Sequence, residues 1–325
     1  MNTEERYERT FQVGQRAEFS LVNVRGHIRV NGWDRPEVHI TAVKRLGSYL
    51  GAQRAYEETW VEMEQSGHRV SARTVVGGRD SIFGWLGVSR TPPEVNYEVQ
   101  VPISSQVSIR TVGGPVEVSD ISGAVYAKSV SGDVQLANIQ GSTMIDAVSG
   151  VTTVENLKGD FGAKLVSGDA KLVNCQLSSL WVKAVSANVS AQTSLNPQGS
   201  YSVNSVSGDF RLVLPREARC SVRTKTTSGR VYCDLPCQVV EGSHGFWQGV
   251  INEGGASVEL RSVSGNLLIG GAEMESRPVA EPRVAPPAPA GGPGDTPEMA
   301  ILRAVERGEL TVDQALAKLA ELDKA

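Results

Sequence analysis

Between residues 105 and 270 the chain alternates apolar and polar positions in short runs, and the runs recur at a nearly fixed interval. Each recurrence carries Val-Ser-Gly or a close variant. Its third residue, used below as a marker, is Gly114, Gly132, Gly150, Gly168, Ala187, Gly208, Gly229 and Gly265, in steps of 18, 18, 18, 19, 21, 21 and 36 residues. Two positions after the marker stand Val116, Val134, Thr152, Ala170, Val189, Phe210, Val231 and Leu267. Four after it stand Val118, Leu136, Val154, Leu172, Ala191, Leu212, Cys233 and Ile269, and the residues between are mostly polar. Alternation with period two predicts a strand buried on one face.

A second strand is predicted upstream of the marker. Seven positions before it come Val107, Val125, Thr143, Phe161, Leu180, Tyr201, Val222 and Val258; five before it come Ile109, Ala127, Ile145, Ala163, Val182, Val203, Thr224 and Leu260. Small residues at the marker permit a tight corner, and Gly123, Gly141 and Gly159, nine residues later, mark another. Two strands and two corners in 18 residues make one coil of a parallel β-helix, whose coils bury their apolar faces only by stacking. A helical repeat is excluded, because so short a unit cannot hold two helices and their turns. The last step of 36 predicts two further turns in chain order.

With these columns the chain resembles the bacterial "putative adhesin" β-solenoid family. The likeness rests on the Val-Ser-Gly-Asp repeats, on Gly26-His27-Ile28-Arg29-Val30-Asn31-Gly32-Trp33-Asp34, on Tyr97-Glu98-Val99-Gln100-Val101-Pro102 and on Gly254-Gly255-Ala256-Ser257-Val258-Glu259-Leu260. It covers residues 10–270. It implies an all-β, right-handed parallel β-helix of about 18 residues per coil and a binding role in envelope-associated or stress-response settings.

Outside the coils the pattern changes. Residues 17–43 read as two strands around Asn31-Gly32, Ala52–Glu58 as a short helix, and Trp60–Gln65 with Arg69–Val75 as a hairpin. Residues 77–93 carry Ile82, Phe83, Trp85 and Leu86 among glycines. An open solenoid end exposes core and unpaired strand edges, so this loop is expected to cap one; a membrane or partner contact is the second reading. Residues 1–270 form the solenoid domain. Residues 271–295, rich in Pro and Gly, form a stiff linker. Residues 296–325 read as a helical hairpin with Ile301, Leu302 and Val305 on one helix and Leu316, Leu319 and Leu322 on the next. That segment resembles the short C-terminal (SHOCT-like) hairpin of bacterial proteins. It is too small to be stable alone, so it is expected to dock on a copy of itself, on a partner or on the solenoid.

Composition narrows the function. A net charge of −4 and 6% aromatic residues argue against nucleic acid. The first residues do not read as a signal peptide, and no run approaches the roughly 18 apolar residues of a membrane span, so a cytoplasmic protein is expected, with peripheral membrane association open to it. Cys175, Cys220, Cys233 and Cys237 show no scaffold spacing; Cys233 falls in an inward column and is expected to be buried, and pairing or metal binding with Cys237 is a weaker reading. No cofactor is called for. Asp133, Asp169 and Asp209 follow the marker, but Asp133 and Asp169 are two coils, about 9–10 Å, apart, too far to share a calcium ion. They are expected to tie corners. His27, His39, His68 and His244 share no column, so no catalytic set forms and no enzyme is expected. The alternatives are a carbohydrate-active β-helix enzyme and a self-associating scaffold.

One column stands out. Four residues before the marker come Arg110, Lys128, Asp146, Lys164, Lys183, Asn204, Lys225 and Arg261. Facing outward at coil spacing, six cations predict a basic stripe roughly 35–40 Å long, suited to an anionic polymer or lipid surface. The competing explanation is that charged side chains on exposed strands discourage aggregation.

Overall fold

The computed structural model describes residues 4–49, 51–77, 92–243 and 245–271. These are all β apart from one short helix. β1 (Glu4–Gln12) leads to β2 (Glu18–Arg25) and β3 (Ile28–Trp33), which meet at Gly26. β4 (Glu37–Arg45), α1 (Ala52–Glu57), β5 (Thr59–Ser66), β6 (Arg69–Val76) and β7 (Glu94–Pro102) complete the N-terminal part. Regular coils follow: β8 (Gln106–Gly113) with β9 (Val116–Ile121), β10 (Val125–Ser131) with β11 (Val134–Ile139), and β12 (Thr143–Ser149) with β13 (Thr152–Glu155). β14 (Lys158–Ser167) precedes the long β15 (Ala170–Ser186), which passes through the second corner without a break. β16 (Val189–Leu195), β17 (Ser200–Ser207) and β18 (Phe210–Leu214) continue the pattern. The last part holds β19 (Cys220–Ser228), β20 (Val231–Cys233), β21 (Cys237–Ser243), β22 (Phe246–Ile251), β23 (Ala256–Ser264) and β24 (Leu267–Gly271).

Strands before the marker stack in parallel in one wall and strands after it in a second. In the first wall Val107, Val125, Thr143, Phe161, Leu180 and Tyr201 are direct neighbours; in the second Val116, Val134, Thr152, Ala170, Val189 and Phe210 are. All of these side chains are buried, so the core is a ladder of like residues between two walls. The marker glycines stack too. Gly150 has φ +107°, and a Cβ there would lie 2.6 Å from the carbonyl oxygen of Gly132, so only glycine fits.

Two expectations about the ends are corrected. The first corner is at Gly26 rather than Asn31-Gly32; Gly32 instead belongs to the second corner, where it lies against the carbonyl oxygen of Asp120. The step from 229 to 265 is not two further turns. β23 pairs with both β17 and β19, and β24 with both β18 and β20, so the last coil in sequence is inserted beneath the one before it. The N-terminal end repeats the arrangement: β2 pairs with β8 and β6, and β3 with β9 and β7.

Antiparallel strands finish the walls. β5 pairs with β6, β4 with β7 and β1 with β4 at one end; β22 pairs with β19 and β21 with β22 at the other. The buried ammonium of Lys44 pins the N-terminal end together. It donates to the Glu5 carboxylate at 2.6 Å and to the carbonyls of Tyr56 and Thr59 at 3.1 and 2.8 Å, and lies 4.0 Å from the centre of the Tyr56 ring. The contact with Lys44 holds the Glu5 carboxyl below the usual range.

Candidate functional site

The predicted stripe forms a single row on the outer face of the first wall. Neighbour follows neighbour as Arg110, Lys128, Asp146, Lys164, Lys183, Asn204, Arg261 and Lys225. The inserted coil reverses the last two. At the spacing of adjacent strands this row is about 34 Å long. Alternation puts the flanking positions inside, so all six cations point outward. Lys164 is half-buried and the other five are exposed. Arg261 donates to Glu259 at 3.0 and 2.5 Å. Arg73, which the repeat columns did not include, extends the row through Val22 and is bonded to Glu62 at 2.6 Å.

Two further columns share this face. Toward the marker corner lie the half-buried Val112, Val130, Val148, Val206 and Val263. On the other side lie Ser108, Tyr126, Met144, Gly162, Trp181 and Ser202. The Tyr126 hydroxyl donates to Asp146 Oδ2 at 2.9 Å; burial first, then this bond, pushes the phenol up to about 12. Asp146 Oδ1 is buried and has no hydrogen-bond partner among the described residues. The Trp181 indole lies across Gly162, with Cε2 and Nε1 each 2.6 Å from where a Cβ would stand. Beside Tyr126 a trough of about 300 Å³ is lined by Ser20, Gln106, Ser108, Ser142 and Met144. The Glu18–Arg69 ion pair, at 2.7 Å, stands at its end.

Cations, hydroxyls and ring surfaces stand together on this face. Among the described residues no group of three or more His, Cys, Asp or Glu is placed to hold a metal ion.

Corner residues have their own bonds. Asp133 Oδ1 accepts from the Val151 backbone N–H at 2.8 Å, Asp169 Oδ1 from Asn188 Nδ2 at 3.0 Å, and Asp209 Oδ1 from the Asn266 N–H at 2.7 Å. These aspartates therefore tie one coil to the next. A second ladder escaped the sequence reading: Asp120, Asn138, Asn156 and Asn174 all have φ between 53° and 60°. Asn138 Nδ2 donates to Asp120 and Asn156 Nδ2 to Asn138, at 2.9 and 3.0 Å. The clue in the sequence was their 18-residue spacing together with their type, since Asn and Asp tolerate a left-handed backbone.

Cys175 and Cys220 are buried, whereas Cys233 is only half-buried, because its coil forms the end of the second wall. Burial pushes the Cys220 thiol up to about 11 and that of Cys233 up to about 12, so neither is a thiolate at neutral pH. Ile82, Phe83, Trp85 and Leu86, expected in a cap, and Ile301, Leu302, Val305, Leu316, Leu319 and Leu322, expected in a hairpin, lie outside the described residues.

No curated protein sequence matches the chain. Solved structures share parts of its shape. A putative adhesin from Bacteroides fragilis is 8% identical, with TM-score 0.41, over 82% of this chain and 97% of that one. A putative adhesin from Parabacteroides distasonis is 11% identical, with TM-score 0.39, over 82% and 97%. A putative lipid binding protein from the same species is 10% identical, with TM-score 0.39, over 82% and 96%. The Toastrack DUF4097 family matches residues 92–269, more than half of the 325 residues. The chain belongs to the Toastrack DUF4097 family.

Proposed function

We propose that this protein is a non-enzymatic scaffold, a right-handed parallel β-helix whose cation-bearing face binds an extended anionic ligand. The observation that carries the reading is the row itself. Six cations from six different strands stand in register on one wall, in a chain of net charge −4. Opposite charges brought to such a surface are attracted over roughly a Debye length, about 8 Å at physiological salt. Residues 271–295 then act as a spacer and the 296–325 hairpin as a docking element for a partner or a second copy. The location proposed is cytoplasmic, at an anionic surface or polymer.

Polyphosphate or anionic liposomes should pellet with the wild type, and the Lys164→Glu, Lys183→Glu, Lys225→Glu triple variant should lose most of that binding. A wild type that binds neither refutes the reading. Loss of residues 296–325 should lower the mass measured by light scattering; an unchanged mass removes the hairpin from the scheme.

Self-association has one observation in its favour. Among the described residues β21 pairs on one side only, and its Val239 and Val240 are 58% and 63% exposed. An apolar open edge is a template for another strand. Val240→Lys should abolish any concentration-dependent assembly.

A further inference from the structure

We infer that the ligand of the cationic face is an acidic polysaccharide, held at two subsites, each made of one aromatic ring and two cations. The inference rests on the anion-binding reading above and adds the chemical class of the ligand. In the first subsite Tyr126 and Lys128 lie two residues apart on β10, with Arg110 beside Lys128 on β8. In the second, Trp181 and Lys183 lie two residues apart on β15, with Lys164 beside Lys183 on β14. The same triangle thus recurs three coils along, about 14 Å away.

Three features separate this surface from a charged strip. First, the rings are set down on the wall. Glycine at position 162 leaves the space that the indole crosses, and Tyr126 is fixed through its hydroxyl to Asp146. A half-buried ring lying on a sheet offers its other, electron-rich side to solvent, where the electropositive C–H face of a sugar can rest. Second, the trough beside Tyr126 has room for a ring and presents Ser20, Ser108, Ser142 and Gln106 to its hydroxyls. Third, Asp146 sits in the row between the two cation pairs with Oδ1 buried and unpartnered. A carboxylate at that place repels a ligand charged along its whole length, such as polyphosphate. It leaves room for a ligand whose anionic groups are spaced apart, so that a neutral sugar passes over it. A glycan with carboxylates separated by neutral sugars meets all three conditions. A bilayer surface does not use the trough.

The test compares three polymers by affinity electrophoresis and calorimetry on the full chain: hyaluronan, with a carboxylate on alternate sugars, neutral dextran, and polyphosphate. Hyaluronan should bind and dextran should not. Trp181→Ala and Tyr126→Ala should each weaken hyaluronan at least tenfold and leave polyphosphate within twofold, and Tyr126→Phe, which keeps the ring but frees it from Asp146, should lie between the wild type and Tyr126→Ala. Gly162→Ala keeps the indole but lifts it from the wall, and it should reproduce the loss seen in Trp181→Ala; agreement between the two, with unchanged melting temperatures, excludes misfolding. Asp146→Asn should raise polyphosphate affinity several-fold. Failure of hyaluronan to bind, or equal hyaluronan affinity in wild type and in folded Trp181→Ala, overturns the proposal. If polyphosphate or anionic liposomes still bind in that case, the anion-binding reading survives; if none of them binds, both fall.

Discussion

In the middle of the solenoid each coil rests on the coil made just before it, and at both ends it does not. From β8 to β18 chain order and stacking order agree. At the C-terminal end β23 and β24 lie beneath β19 and β20, and at the N-terminal end β2 and β3 lie beneath β6 and β7. The difference shows that stacking follows apolar complementarity rather than chain order. The inserted C-terminal coil brings Leu260, Leu267 and Ile269 to the columns where its rival brings Thr224, Val231 and Cys233. The slot covered on both sides buries more surface, and each buried methylene contributes about 0.8 kcal/mol, so the more apolar coil takes it.

The comparison breaks most severely at the marker corner. Gly150→Val places a Cβ against the Gly132 carbonyl at a positive φ and should cost about 3–5 kcal/mol in urea unfolding. Gly254→Ala, at a roomier end position, should cost only about 1 kcal/mol. Equal losses would mean that the middle and the end are not packed differently.

Leu136→Ala should cost about 2–5 kcal/mol, and Ile269→Ala should match it, because both side chains are 1% exposed and covered on two sides. Cys233→Ala, in the outer coil, should cost about 1 kcal/mol. An Ile269→Ala loss as small as that of Cys233→Ala would contradict the insertion. Hydrogen exchange sharpens the same point: amides of β23 should outlast those of β22.

Smaller again is Asn138→Ala, which keeps the corner but removes a side chain suited to φ 55° and its two ladder bonds; about 1–2 kcal/mol is expected from denaturant midpoints.

The smallest effect concerns acid and the N-terminal end. The Glu5 carboxyl is held low by Lys44, so its contribution is complete above the ordinary carboxylate range, near 4.5, and is lost as pH falls through the lower folded value. Hydrogen exchange in β1 should therefore accelerate below about pH 4 before the middle coils respond, and Glu5→Gln should remove that pH dependence.

Most of the coil was readable from the residues. Columns such as Val107–Val125–Thr143–Phe161 became true neighbours because a half-buried strand has a period of two and a solenoid repeats it at constant offset. The cation row was readable for the same reason. Its partners on the face were less so: Gly162 reads as a small residue until the indole of Trp181 is seen across it. Arg73 was missed because its strand belongs to a coil interrupted by residues 77–93. Asn31-Gly32 misled because its turn-like composition serves a second corner, not the first.

By itself the amino-acid order determined, within the repeats, which residues face inward, where the marker corners fall and which column carries positive charge, since these depend on local alternation and on glycine's backbone freedom. Only the tertiary structure decided which coil lies on which. Every coil presents nearly the same columns and can pair with several others, so the choice is made by total buried surface, which no local segment encodes. The same assembly placed Tyr126 with Arg110 and Trp181 with Lys164, from strands that meet only when the coils stack.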